Sequence, residues 1–353
     1  MITLSLAMIV KNEEAVLARC LDCVKEIVDE IIIVDTGSTD ATVEIARTYT
    51  DKIYHYEWHN HFAAARNFSF SKATGDYIMW LDADDVLEAS EQRKLLALKQ
   101  DFDTDIDVAL LKYNVGFDAD GNVTMSNYRE RILKRASDFR WEEPVHECIA
   151  PRGKIERFDI AVTHGEKVRA HSDRNLKIYE AQSELSPRGM FYYARELRDH
   201  GRLEEAVVQY KAFLEDGRGW LEDNIRACLD IAGCYTGSGQ ARDALNQLFQ
   251  TFVYDRPRSE ACYKIGDYFF EQNSNEQAIY WYDLATNPNS QVEAGFVNRD
   301  FCDFLPYLQL CIVFDRLGKH DLAYNYHLQT KALKPEHASV LYNDKYFEKL
   351  FSE

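Results

Sequence analysis

Long apolar runs are missing from this 353-residue sequence. No stretch approaches the roughly 18 residues that a membrane-spanning helix needs. Basic residues are also scarce, with 41 Lys and Arg against 59 Asp and Glu and a net charge of −18. Phosphate backbones and anionic membranes are gripped by clustered Lys and Arg, so neither nucleic acid nor a membrane surface is the expected partner. A nucleotide held through a metal ion is not excluded. The opening run MITLSLAMIV has no basic leader and no cleavage site, and it reads as a strand rather than a signal peptide. Among eight scattered cysteines only Cys20 and Cys23 form a close pair. No second ligand pair accompanies them, which points to core thiols in a reducing cytosol rather than a zinc or redox centre. The expected location is cytoplasmic. What the sequence does have is apolar content, 46%, which at this length suffices for one full core and extends to two.

Two halves differ in pattern. Up to about residue 160, short unbroken apolar runs alternate with helical stretches. Strands are expected at Ile2–Val10, Glu30–Asp35, Lys52–Trp58 and Asp76–Leu81, with helices at Glu14–Ile27, Thr39–Thr48 and His61–Lys72. That alternation predicts a doubly wound, mainly parallel α/β sheet. Ligands of such sheets bind beyond the carboxyl ends of the strands. The loops KNEE, DTGSTD and DADD therefore matter most, while FDADGN (Phe117 to Asn122) reads as a hairpin turn in a later antiparallel section. From about Asn175 the strands give way to helix pairs. A small residue recurs at Ala206, Ala244, Ala278 and Ala323, at intervals of 38, 34 and 45 residues. The 34-residue interval is that of a tetratricopeptide repeat, and stacks of such pairs offer a concave surface to a partner. The expected domains are 1–174 and 175–353.

The run YIMWLDADD poses a question of charge. An apolar strand delivers Asp82, Asp84 and Asp85 to one loop, where three carboxylates repel one another unless a positive charge joins them. A hard divalent cation bound by carboxylate oxygens meets that need. Alternatively, Asp85 caps the following helix, with Glu88 completing a D-x-x-E box.

Four segments together, LAMIVKNEEAVLARCLDCV, DEIIIVDTGSTDAT, AAARNFSFSKATGDYIMWLDADD and WEEPVHE, resemble the family 2 glycosyltransferases of the GT-A fold. The variant resembled carries a tetratricopeptide tail, as in bacterial peptide S-glycosyltransferases and related protein-modifying enzymes. The resemblance covers about residues 2–174. It implies a Rossmann-like mixed sheet, a UDP-sugar donor, Mn²⁺ or Mg²⁺, and a peptide or protein acceptor held by the repeats, through which the chain also self-associates. It implies a uracil contact for Asp35, which otherwise is a turn residue. Ile9 and Val10 would cradle the base, and Glu13 would reach the ribose or serve as a first-turn helix acid. Asp82, with the intervening Ala83, would face the ribose, and Asp84 would bind the metal. Arg66 would contact uracil or phosphate, or pair with acids at the sheet edge.

The stretch RWEEPVHECI matches the place where inverting members carry the general base that deprotonates the acceptor. His146 and Glu147 are the leading candidates, with Glu142 and Glu143 behind them. Trp141 would floor an acceptor subsite or simply pack in the core. By resemblance His164 is a third metal ligand. His171, Arg174 and Asn175 would lie on a lid or linker, and HYEWHNH (His55 to His61) reads as polar cleft or surface residues rather than a metal site. An acceptor of lipid-linked or cell-surface glycan, or a non-catalytic nucleotide-sugar-binding scaffold, are the competing functions.

Overall fold

The computed structural model describes residues 1–117, 121, 123–165, 172–287 and 298–352. Packing divides the chain into two compact units, Met1–Glu184 and Leu185–Glu353.

The first unit is built on an eight-stranded sheet in the order β3-β2-β1-β4-β7-β6-β10-β5. Strands β1 (Leu4–Val10), β2 (Glu30–Asp35), β3 (Ile53–His55) and β4 (Tyr77–Trp80) pair in parallel. Helices α1 (Leu17–Asp22), α2 (Thr42–Ala46) and α3 (Phe62–Phe70) make the crossovers. Leu6, Met8 and Ile33 pack with Leu17 and Leu21 of α1 and Ala46 of α2 on one face. Ala7, Ile32 and Val34 pack with Ala63 and Phe70 of α3 on the other. Burial on both faces is why these strands read as unbroken apolar runs instead of alternating ones. Helices α1 and α2 are shorter than the sequence pattern suggested. Beyond Cys23 the chain continues as hydrogen-bonded turns, with Ile27 N–H donating to Val24 C=O at 2.8 Å. The β-branched Val24, Ile27 and Val28 do little to prolong a helix there.

After β4 the chain crosses the sheet. The two-residue strand β5 (Asp85–Val86) lies at the far edge, and α4 (Ala89–Gln100) follows it. Strands β6 (Val108–Phe117) and β7 (Val123–Lys134) form the antiparallel section, and most of the FDADGN turn lies outside the described residues. The short strands β8 (Trp141–Glu142) and β9 (Cys148–Ile149) pair with each other. Strand β10 (Ile155–His164) then runs parallel to β6 and antiparallel to β5, with His164 directly opposite Asp85. Helix α5 (Arg174–Glu180) belongs to the first unit, where Tyr179 Oη donates to Val145 C=O at 3.2 Å. The division between compact units thus follows α5, whereas the sequence reading drew it before that helix.

The second unit consists of helix pairs: α6 (Pro187–Asp199) with α7 (Leu203–Asp216), α8 (Leu221–Gly237) with α9 (Ala241–Tyr254), α10 (Ser259–Glu271) with α11 (Asn275–Thr286), and α12 (Phe304–Arg316) with α13 (His320–Leu333). Helix α14 (Ala338–Leu350) follows. One device closes every pair. Gly201, Gly239, Asn273 and Gly318 adopt left-handed φ values of 75°, 72°, 57° and 70°. The next N–H in each case donates back to the preceding helix: Arg202 to Leu197, Gln240 to Tyr235, Ser274 to Phe269 and Lys319 to Phe314. This is the six-to-one bond of a Schellman motif, and it satisfies a carbonyl that the helix end leaves open. The recurring alanines, Ala206, Ala244, Ala278 and Ala323, are all buried.

Candidate active site

The ends of β1 and β2 lie side by side, with Val10 opposite Asp35. Their loops are stitched into one plate. Asn12 N–H donates to Ser38 Oγ at 3.0 Å, Glu13 N–H to Thr42 Oγ1 at 2.7 Å and Glu14 N–H to Asp40 Oδ2 at 3.2 Å. In return Thr39 N–H donates to Asn12 Oδ1 at 2.8 Å and Ala41 N–H to Glu14 Oε2 at 2.9 Å. Asp35 is buried, and its carboxylate accepts from the Gly37 and Ser38 N–H groups at 3.2 and 3.0 Å. The turn role therefore exists, and Asp35 also stands 3.7 Å from His55 Nδ1. The Val10 side chain belongs to the core and its carbonyl accepts from Thr36, whereas Ile9 is only partly buried. Glu13 is half-buried in its loop.

Asp82, Ala83 and Asp84 follow β4 at the carboxyl end of the sheet, next to the point where strand order reverses between β1 and β4. Open α/β sheets bind ligands at such switch points. Because β5 pairs with β10, the acids meet a residue 80 positions later in the chain. Asp84, Asp85 and His164 each offer a ligand atom, and these atoms lie within 4.8 Å of one another. They form the one such group among the described residues. Both aspartates are buried, while the His164 side chain is 38% exposed. His164 Nδ1 lies 3.7 Å from Asp84 Oδ1, 3.8 Å from Asp85 Oδ1 and 3.0 Å from Tyr113 Oη. Two carboxylates and one imidazole are a donor set that fits Mn²⁺ or Mg²⁺.

Asp85 does not cap α4. Its Oδ2 accepts from Asp82 N–H at 2.9 Å and from Arg131 Nη1 at 2.8 Å, and Glu88 takes the N-cap position without a side-chain bond. Arg131, on β7, is completely buried against the rings of Trp80 and Tyr113, with its guanidinium carbon 3.9 and 4.4 Å from their centroids. The sequence reading missed this arginine. Its signal was an Arg within the apolar end of a strand, RERIL, which implies a buried acid partner.

Arg66 answers the rest of the charge question. It is buried between Trp80 and Trp141, at 5.0 and 4.7 Å from their ring centroids. Its Nη2 donates to Asp82 Oδ1 at 2.7 Å and its Nε to Glu147 Oε1 at 2.6 Å. Burial alone would raise the Asp82 carboxyl. The Arg66 and Arg131 guanidiniums override that and hold it at about 2. One guanidinium thus links the acid after β4 with the acid of the VHE stretch. His146 points elsewhere: it has a left-handed φ of 53°, and its ring stacks 6.4 Å from that of Tyr179. Trp141 is core, T-shaped to Trp80 at 4.9 Å, and Asn67 clamps its backbone with reciprocal bonds of 2.9 Å. Glu142 is exposed and Glu143 half-buried.

The remaining histidines are not brought together. His61 accepts from Ala64 N–H and caps α3, and His55 faces Asp35. His171 lies outside the described residues, and Arg174 and Asn175 open α5. Cys20 and Cys23 are buried free thiols, with Cys20 Sγ donating to Asp82 C=O at 3.3 Å. Among the described residues no helix is long and apolar enough to cross a membrane.

Residues 5–161 match the model of glycosyl transferase family 2. A TPR repeat-containing protein of Synechococcus elongatus is 38% identical over 151 residues, 42% of this chain and 36% of that protein. The SPbeta prophage-derived glycosyltransferase SunS of Bacillus subtilis is 26% identical over 249 residues, 64% of this chain and 58% of SunS. The lipopolysaccharide core biosynthesis glycosyltransferase LpsC of Rhizobium meliloti is 29% identical over 163 residues, 43% of this chain and 58% of LpsC. The chain therefore spans between 36% and 58% of the length of these relatives. The family match falls wholly within the first compact unit.

Proposed function

We propose that this chain is a metal-dependent, inverting glycosyltransferase that moves a hexose or N-acetylhexosamine from a UDP-sugar to a side chain of a peptide or protein held by the repeats. One observation carries the reading. The cation-binding set Asp84, Asp85 and His164 adjoins the Asp82–Arg66–Glu147 triad at the carboxyl end of the sheet. Groups suited to a departing diphosphate and to an incoming nucleophile thus lie at one end of the sheet.

The stitched plate of KNEE and DTGSTD loops offers the uracil a rigid edge, with Asp35 facing the imide. Asp82, held ionised by Arg66, accepts from ribose hydroxyls. Asp84, Asp85 and His164 would hold Mn²⁺ or Mg²⁺, which when bound neutralises charge on the diphosphate leaving group. Glu147 takes the proton of the acceptor hydroxyl or thiol as that atom bonds to the anomeric carbon. The bond from that carbon to the diphosphate oxygen breaks, and UDP leaves. Glu147 is favoured over His146 as base because Arg66 ties it to the nucleotide side of the site. Trp80 and Trp141 keep water from the guanidinium and so strengthen its hold on both acids.

The test is a panel of UDP-sugars incubated with the chain and Mn²⁺, read by UDP release, followed by tryptic mass maps of candidate peptide acceptors. A peptide gaining one sugar mass supports the reading. LpsC, by its name, serves lipopolysaccharide core biosynthesis, and sugar recovered only in a glycan acceptor would move the substrate to that class. Absence of UDP release with every donor would leave a non-catalytic scaffold.

A further inference from the structure

We infer that Arg19 is a contact for the diphosphate of the donor, placed beside the cation site by helix α1; the inference rests on the donor class proposed above. Leu17, Cys20 and Leu21 anchor α1 in the core, and Cys20 Sγ bonds to the carbonyl of Asp82. Its neighbour Arg19 is exposed, and its guanidinium comes up beside the acid loop.

Gly165 locates the guanidinium. Its N–H donates to the Asp84 carbonyl at 2.8 Å, immediately after His164. A Cβ on Gly165 would lie 2.3 Å from Arg19 Nη2 and 2.5 Å from the Asp84 carbonyl oxygen. No side chain fits there, so the arginine rests against bare backbone between two residues of the cation-binding set. Among the described residues Arg19 has no ion pair or hydrogen bond, in a chain with 18 excess acids. The two buried guanidiniums of the site are committed, Arg66 to Asp82 and Glu147, and Arg131 to Asp85. Arg19, exposed at the edge of this group, is placed to meet an anion that arrives from outside. An anion drawn to a divalent cation and to a guanidinium at once needs several charged oxygens. A diphosphate supplies them, and Arg matches such oxygens with its forked donors.

The experiment measures UDP and UMP affinity by calorimetry with Mg²⁺ present, for the full chain and for Arg19→Met and Arg19→Lys. Arg19→Met is expected to weaken UDP by roughly tenfold or more, the loss of a charge-assisted hydrogen bond, while UMP changes by less than about twofold. Arg19→Lys, which keeps the stem and the charge, should fall between. Inorganic pyrophosphate should compete with UDP on the wild type and compete less well on Arg19→Met. Equal loss of UDP and UMP, or UDP affinity unchanged in both variants, overturns the inference while leaving the donor class intact. A wild type that binds no UDP removes the donor class itself, and the role of Arg19 with it. If Arg19→Met does not fold, the UDP-to-UMP ratio of Arg19→Lys decides.

Discussion

Replacing Arg131 by Met is expected to destabilise the first unit severely while leaving its shape nearly filled. Arg131 and Asp85 are both fully buried and 2.8 Å apart. Methionine replaces the stem of the arginine but not its charge. Asp85 would remain buried beside Asp84 without its guanidinium, keeping only the Asp82 N–H and its neighbours His164 and Tyr113. Removing one partner of a buried pair in this way costs about 3–5 kcal/mol. For a unit of this size that is a fall in unfolding midpoint of roughly 6–20 °C. The double variant Arg131→Met with Asp85→Asn removes the orphaned charge as well, and should recover a large part of the loss. The assay is thermal unfolding followed by near-ultraviolet circular dichroism, because Trp80 and Trp141 pack 4.9 Å apart with Arg131 against Trp80. A double-mutant cycle then isolates the pair. A loss below about 1 kcal/mol for the single variant would refute the argument, since exposed pairs give values that small. So would a double variant no more stable than the single one.

Three other outcomes are expected. Asp84→Ala should abolish sugar transfer with little change in the unfolding midpoint, and chelator should silence the wild type until Mn²⁺ or Mg²⁺ is restored; full turnover in excess chelator would exclude the metal. Glu147→Gln should lower transfer by roughly 10²–10⁴-fold with UDP affinity retained. His146→Ala should be far milder, and the reverse order on a serine acceptor would transfer the base role to His146. In the second unit burial pushes the Asp223 and Asp267 carboxyls up to about 6, the latter despite a hydrogen bond from Tyr282 Oη. Folding then favours their protonated forms, so this contribution to stability is full below about pH 4 and is lost as pH rises to about 6. Asp267→Asn should flatten that slope in pH-dependent urea titrations, and an unaltered slope would count against it.

The strands β1, β2 and β4 were legible because burial on both faces leaves unbroken apolar runs, a pattern that survives in one dimension. The helix pairs were legible because each needs a left-handed residue at its turn and a small one at its contact. That Asp84 and His164 lie close together was to be expected only from the family resemblance, since nothing local says that β5 crosses to the edge beside β10. The alternative of an Asp85 cap fails for a related reason. D-x-x-E is a local signal, while its partner Arg131 lies 46 residues away on an antiparallel strand. Arg66 likewise finds its acids 16 and 81 residues away. His146 adopts a left-handed backbone, and a histidine gives no notice of that conformation.

The pairing of β5 with β10 also sets a schedule. Asp84 and Asp85 leave the ribosome 80 residues before His164, at synthesis rates that make the interval roughly 4–16 s. Throughout that interval the nascent chain holds the acids but neither the strand that seats them nor their imidazole. Arg131 emerges in between and is the first charge able to quench Asp85. The group of Asp84, Asp85 and His164 is therefore completed only by β10, the last strand in chain order. A complete group of Asp84, Asp85 and His164 thus exists only in a sheet whose far edge, β5 against β10, is closed.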